Sequence, residues 1–80
     1  MKLTVLYFAA VRDLVGLSEE TVDAPASDVR ALRAWLEVAR PTLAGRLGAV
    51  RFARNEAFVK DDEALADGDV IALIPPVSGG

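Results

Sequence analysis

The chain of 80 residues contains no cysteine and no histidine. That absence excludes disulfides, thiol nucleophiles, imidazole acid–base chemistry and nearly all zinc or iron ligation. No stretch approaches the ~20 consecutive apolar residues of a membrane span. The segment Met1 to Phe8 lacks the length and the small-residue cleavage site of a secretory signal, so the expectation is a cytoplasmic protein without membrane contact. There is no glycine-rich phosphate loop. The net charge of −3 argues against general nucleic-acid binding.

What is present fits one domain with a single modest core, since 52% of the residues are apolar and 26% charged. The charge is unevenly distributed. Six arginines lie between Asp28 and Arg54 against Asp28 and Glu37, and six acids lie between Glu56 and Asp69 against Lys60 alone. The ordinary reading of such blocks is a solvated surface of mixed sign; the sharper one is docking to an oppositely charged partner.

Period-two alternation predicts a first strand over Lys2–Phe8, with Leu3, Val5 and Tyr7 on one face. Leu6 and Phe8 continue the face begun by Lys2 and Thr4. Either the strand is covered on both sides, or these two apolar groups belong to a contact patch. Ala9 to Val15 reads as a short helix ended by Gly16, with Val11, Leu14 and Val15 inward. Ser18 to Val22 reads as an edge strand. Ser27 is the expected N-cap of a long helix with Asp28 in its first turn. Val29, Leu32, Leu36 and Ala39 form its buried stripe, Trp35 sits at the margin, and Arg30, Arg33, Glu37 and Arg40 face outward. Pro41 ends the helix, and Pro41 to Leu47 is ambiguous between a second helical turn and loop.

A hairpin follows, with strands Val50–Arg54 and Ala57–Lys60 joined at Asn55-Glu56. Gly68 supplies the turn before the last strand, Val70–Ile74. One long helix covers one face of a sheet, so the fold class expected is α+β with the other face partly open. If the first and last strands are central neighbours, Phe8 and Ile74 meet on that open face and Phe58 can join them as a partner-binding patch. Cover by short loops is the competing arrangement.

Beyond Ile74 the residues Pro75-Pro76-Val77-Ser78-Gly79-Gly80 read as an extended, flexible C-terminal tail on a body of residues 1–74. Two prolines cannot extend a sheet ladder and favour an extended path, which spans roughly 18–20 Å over six residues. Gly79 and Gly80 lack a Cβ, so a narrow tunnel can close on their backbone and still admit a nucleophile. A terminal glycine carboxylate is ionised at neutral pH, its reference pKa being ~3.3–3.7. Pro75 and Pro76 reduce the freedom lost on threading, with Val77 as a small apolar anchor and Ser78 as a hydrogen-bond handle.

Four segments together resemble the MoaD family of ubiquitin-like sulfur carriers, the small subunits of molybdopterin synthases. They are Val5-Leu6-Tyr7-Phe8-Ala9 with Val11-Arg12-Asp13-Leu14-Val15-Gly16, the helix Ser27 to Ala39, the turn Leu65-Ala66-Asp67-Gly68-Asp69, and the terminal Pro75 to Gly80. The resemblance spans nearly the whole chain. It implies a ubiquitin-like β-grasp fold, a mixed sheet of about five strands with one long helix packed on one face. It also implies that the Gly80 carboxylate is adenylated by a separate enzyme using ATP and magnesium and becomes a thiocarboxylate at the expense of a sulfur donor. The tail, Pro75 to Gly79, then threads into the large synthase subunit, in a heterotetramer of two small and two large subunits, and sulfur passes to cyclic pyranopterin monophosphate to form the molybdopterin dithiolene. On this reading the chain binds no cofactor or metal stably and has no autonomous activity; Gly80 is the reacting group of a sulfur-donor subunit.

The remaining candidates are weaker. Asp67-Gly68-Asp69 and Asp61-Asp62-Glu63 lack the twelve-residue ligand spacing of a calcium loop and read as turns. Arg12 with Asp13 reads as a local cap or pair, and Trp35 as helix packing. Alternatives of function stay open: a related carrier for thiamine or tRNA thiolation, a modifier joined to lysines, or a non-covalent ubiquitin-like interaction module.

Overall fold

The computed structural model describes residues 1–76. In chain order its elements are β1 (Lys2–Tyr7), α1 (Ala9–Val15), β2 (Glu19–Asp23), α2 (Val29–Ala39), a 3-10 turn (Pro41–Leu43), β3 (Arg51–Arg54), β4 (Ala57–Val59) and β5 (Val70–Ile74). The five strands form one sheet in the order β2-β1-β5-β3-β4. β5 runs parallel to β1, with Thr4 opposite Val70 and Tyr7 opposite Leu73; the other pairings are antiparallel. The first and last strands are therefore central neighbours, and the strand that carries Val22 is an edge, as its single apolar position led one to expect. The long helix is accompanied by the short α1, so the β-grasp carries two helices.

Alternation on the strands and the three-four spacing on α2 meet in one core. Leu3, Val5 and Tyr7 of β1, Phe52 of β3 and Ile71 and Leu73 of β5 are sealed from solvent against Val29, Leu32 and Leu36 of α2. Val11, Leu43 and Leu47 close the same side. Burial of each large side chain contributes roughly 1.5–3 kcal/mol, so a one-residue slip of a central strand, which exchanges its faces, is strongly disfavoured. Trp35, Leu14 and Val15 pack at the margin of this core, and Ala39 is only half-buried. Gly16 ends α1 in the left-handed conformation, φ 85°, which its missing Cβ permits.

Three details differ from the sequence expectation. The N-cap of α2 is Asp28, not Ser27: Asp28 is extended and its carboxylate accepts from Ala31 N–H at 2.8 Å. Ser27 instead gives its carbonyl to Leu65 N–H, tying the 61–65 connection to the helix start. Arg33 and Arg40 do not simply face outward. Arg33 lies over the Phe52 ring at 4.5 Å and donates to the carbonyls of Leu47 and Val50 and to Asp61. Arg40 pairs with Glu20 of β2, which also accepts from the buried Tyr7 hydroxyl at 2.5 Å. Arginine buries its stem and exports only its head, so a count of polar positions misplaces it.

The third difference concerns the two charge blocks. They are internal partners in part, because Arg33 pairs with Asp61 and Arg54 with both Glu63 and Asp69. The fold folds the basic stretch onto the acidic one, a possibility that neither a solvated surface nor an external partner covers. Among the described residues no helix is long and apolar enough to cross a membrane.

Candidate functional site

The face of the sheet opposite α2 is set by the second half of each alternation. Leu6 of β1 lies opposite Ala72 of β5, Ala72 opposite Ala53 of β3, and Ala53 opposite Phe58 of β4, which makes one row across four strands. The two alanines in the middle form a low floor. Phe8, Phe58, Val70 and Ile74 rise around it, leaving an open groove of about 430 Å³ lined also by Asn55 and Glu56. Phe8 and Phe58 stay 44% and 53% exposed, far above the core aromatics. No loop among the described residues covers them, so the patch is apolar and open, the kind of surface that monomers keep small unless a partner uses it.

The ends of the groove are built differently. At one end β5 finishes at Ile74, Phe8 follows β1 as the N-cap of α1, and the chain turns away through Ala9, whose φ is 48°. Arg51 faces Ile74 across the β3–β5 pairing and places its guanidinium 3.9 Å from the centroid of the Phe58 ring. The other end is the two-residue hairpin turn Asn55-Glu56, with φ of 50° and 75°, as a right-twisted hairpin demands. Asn55 continues the ladder: its N–H donates to Val70 O at 2.8 Å and its side-chain carbonyl accepts from Val70 N–H at 2.9 Å.

Beneath that turn sits the most buried carboxylate described. Asp69 accepts from Arg54 Nε at 2.6 Å, from Ala66 N–H at 2.8 Å and from Asn55 Nδ2 at 3.0 Å. The Arg54 hydrogen bond, helped by those from Ala66 and Asn55, holds its pKa at about 2 against an ordinary 3.8, despite the opposing effect of burial. On the far side of the sheet, Arg40 lowers the Glu20 carboxyl, and burial together with Glu20 raises the Tyr7 hydroxyl above its usual range. Both clusters bind strand to neighbour, and each carboxylate in them has an arginine partner. They are braces rather than acid–base pairs.

Phe8, Phe58 and Ile74, expected on the open face, line one groove. Pro75 is half-buried and Pro76 exposed, just past the end of β5. Val77, Ser78, Gly79 and Gly80 lie outside the described residues. Asp67 and Asp69 act in the turn, Asp67 accepting from Lys2 N–H at 2.5 Å. Trp35 packs beside the core, and Arg12 and Asp13 are exposed and enter no ion pair among the described residues. Leu6, flagged beside Phe8 in the sequence, lies in the groove floor, whereas Arg51, Ala53 and Glu56 escaped the sequence reading as site residues. Small residues in alternation on adjacent strands, Ala53 and Ala72, were the available signal.

The model of the ThiS family matches residues 5–80. A molybdopterin synthase sulfur carrier subunit from Chlamydomonas reinhardtii is 40% identical over the full length of both chains. The chain also resembles a solved protein–protein complex of subunits 1 and 2 of molybdopterin-converting factor from Helicobacter pylori, with 32% identity, a TM-score of 0.73 and 100% of each chain covered. The small archaeal modifier protein 1 of H. volcanii has the same fold, with 27% identity and a TM-score of 0.84 over 95% of this chain and 98% of that one.

Proposed function

The chain belongs to the ThiS family, and from that premise we propose that it is a sulfur carrier, the small subunit of a molybdopterin synthase. Its reacting group is the Gly80 carboxylate. An oxygen of that carboxylate attacks ATP held with magnesium by a separate adenylating enzyme, pyrophosphate leaves, and an acyl-adenylate forms. Sulfur from a donor then displaces AMP and leaves a thiocarboxylate. The large synthase subunit receives the tail, and sulfur passes to cyclic pyranopterin monophosphate to build the dithiolene of molybdopterin.

The observation that carries this reading is the apolar groove at the root of the tail. Phe8 and Ile74 border it where β5 ends, so a partner seated there lies beside the path the chain takes through Pro75 and Pro76. The prolines narrow the conformations open to the tail before binding, and Gly79 and Gly80 present no side chain to a tunnel wall. The described residues supply no catalytic constellation of their own: their buried carboxylates are committed to Arg40 and Arg54. On this reading ATP and magnesium belong to the adenylating partner, the assembly is two small with two large subunits, and the setting is cytoplasmic.

The protein-modifier alternative draws on the likeness to the archaeal modifier, whose body has the same fold. Both readings need the same activated carboxylate, so one experiment opens the question and a second decides it. After incubation with a molybdopterin synthase adenylating enzyme, MgATP and a sulfur donor, intact mass is expected to show one oxygen exchanged for sulfur at the terminus. No exchange removes every carrier reading. The purified thiocarboxylate, mixed with a large synthase subunit and cyclic pyranopterin monophosphate, is then expected to yield molybdopterin; lysine-linked conjugates and no molybdopterin would establish the modifier instead.

A further inference from the structure

The groove carries one charge at each end, and the fold uses neither. Arg51 stacks over Phe58 but has no ion pair among the described residues, whereas Arg33, Arg40 and Arg54 are each matched by an acid. A guanidinium on a ring is held in position without being neutralised. Glu56, at the other end, lines the groove, is exposed and likewise has no side-chain partner among the described residues. Its φ of 75° is the conformation that glycine takes most readily at the second position of such a turn. Of the three non-glycine residues with positive φ described, Asn55 and Glu56 line one end of this groove and Ala9 follows Phe8, which lines it at the other. Backbone strain of this kind gathers where a side chain is kept for a reason other than stability.

We propose that Arg51 and Glu56 polarise the groove, so that it accepts a protein segment with apolar side chains at its middle, a carboxylate toward Ile74 and a cation toward the Asn55–Glu56 turn. The inference rests on the reading of this face as the carrier's docking surface and adds a direction to it. The backbone of Arg51 is opposite Ile74 and that of Asn55 bonds to Val70, four strand steps or roughly 13 Å along β5, so the two charged side chains are rooted at opposite ends of the groove. A segment laid in the opposite sense brings like charges together at both ends and is rejected. The accepted sense places the partner's carboxylate beside the point where the chain leaves β5.

The test is calorimetric titration of a large molybdopterin synthase subunit into the full chain at low and at raised salt, with thermal melting of each variant. Glu56→Gly is expected to melt higher than the parent yet bind severalfold more weakly, a combination that loss of structure cannot produce. Arg51→Glu is expected to weaken binding by about tenfold at low salt, with the deficit shrinking as salt rises, and Arg51→Lys to lose less. If Glu56→Gly and Arg51→Glu bind like the parent while Phe8→Ala binds weakly, the groove docks its partner without reading charge and the proposal is overturned. If Phe8→Ala also binds like the parent, the docking-face reading fails and the polarity falls with it.

Discussion

The two faces of the sheet are made from the same strands by alternate residues, yet they serve opposite ends. On the α2 side, Leu3, Val5, Tyr7, Ile71 and Leu73 are large and closed off from water. On the other side, Leu6, Ala72 and Ala53 form a floor, and Phe8, Phe58 and Ile74 stand partly in solvent around it. The first face has its partner within the chain, and its apolar area stabilises the fold. The second has no partner within the described residues, so its apolar area remains available for association. β5 contributes to both: its odd-numbered residues hold the domain together, and its even-numbered ones build the surface beside the tail.

The sharpest way to break this contrast is to truncate matched residues on each face. Leu36→Ala, in the covered core, is expected to cost about 2–5 kcal/mol of folding stability, measured by denaturant unfolding, because the site loses both transfer energy and packing. Ile74→Ala, on the open face, is expected to cost under about 1 kcal/mol in the same measurement while weakening association with a large synthase subunit by about 1–3 kcal/mol in calorimetry. Equal stability losses from the two would erase the distinction. A smaller effect concerns the brace under the groove's turn. Asp69 has a folded-state pKa of about 2, below the ordinary 3.8, so its contribution is present above about pH 4 and lost as the pH falls toward 2. The stability difference between the parent and Asp69→Asn is therefore expected to be about 1–2 kcal/mol near neutrality and to shrink across that acid window. A difference independent of pH would show that the carboxylate's charge is not what braces the turn. The smallest effect is expected for Val38→Ala on the outer side of α2, where the side chain is 81% exposed: within ~0.5 kcal/mol in stability, and no change in association.

Periodicity made much of this legible, because burial enforces it. Leu3, Val5 and Tyr7 could only be one face, and Val29, Leu32 and Leu36 only one stripe. The anomaly at Leu6 and Phe8 by itself points to the open patch. Pairing partners were not legible to the same depth. Arg40 meets Glu20 across twenty residues, and Arg54 meets Asp69 across fifteen, and nothing local to an arginine tells which distant acid it will reach. The cap of α2 moved from Ser27 to Asp28 because the connection before Leu65 claims the Ser27 carbonyl, a tertiary bond invisible to local preference. Arg51 and Glu56 were hidden for another reason: each is an ordinary polar residue in sequence, and only the register opposite Ile74 and the positive φ of the turn give it a place.

The position of β5 bears on how the domain resists being pulled. This strand is hydrogen-bonded to β1 on one side and to β3 on the other along its length, and the chain passes from its end directly into Pro75. Traction along the axis of β5 loads both ladders in shear at once, so that no single bond can open ahead of the others. A partner that draws on the tail meets a mechanical anchor at the middle of the sheet, and the body holds its shape while the end of the chain is handled.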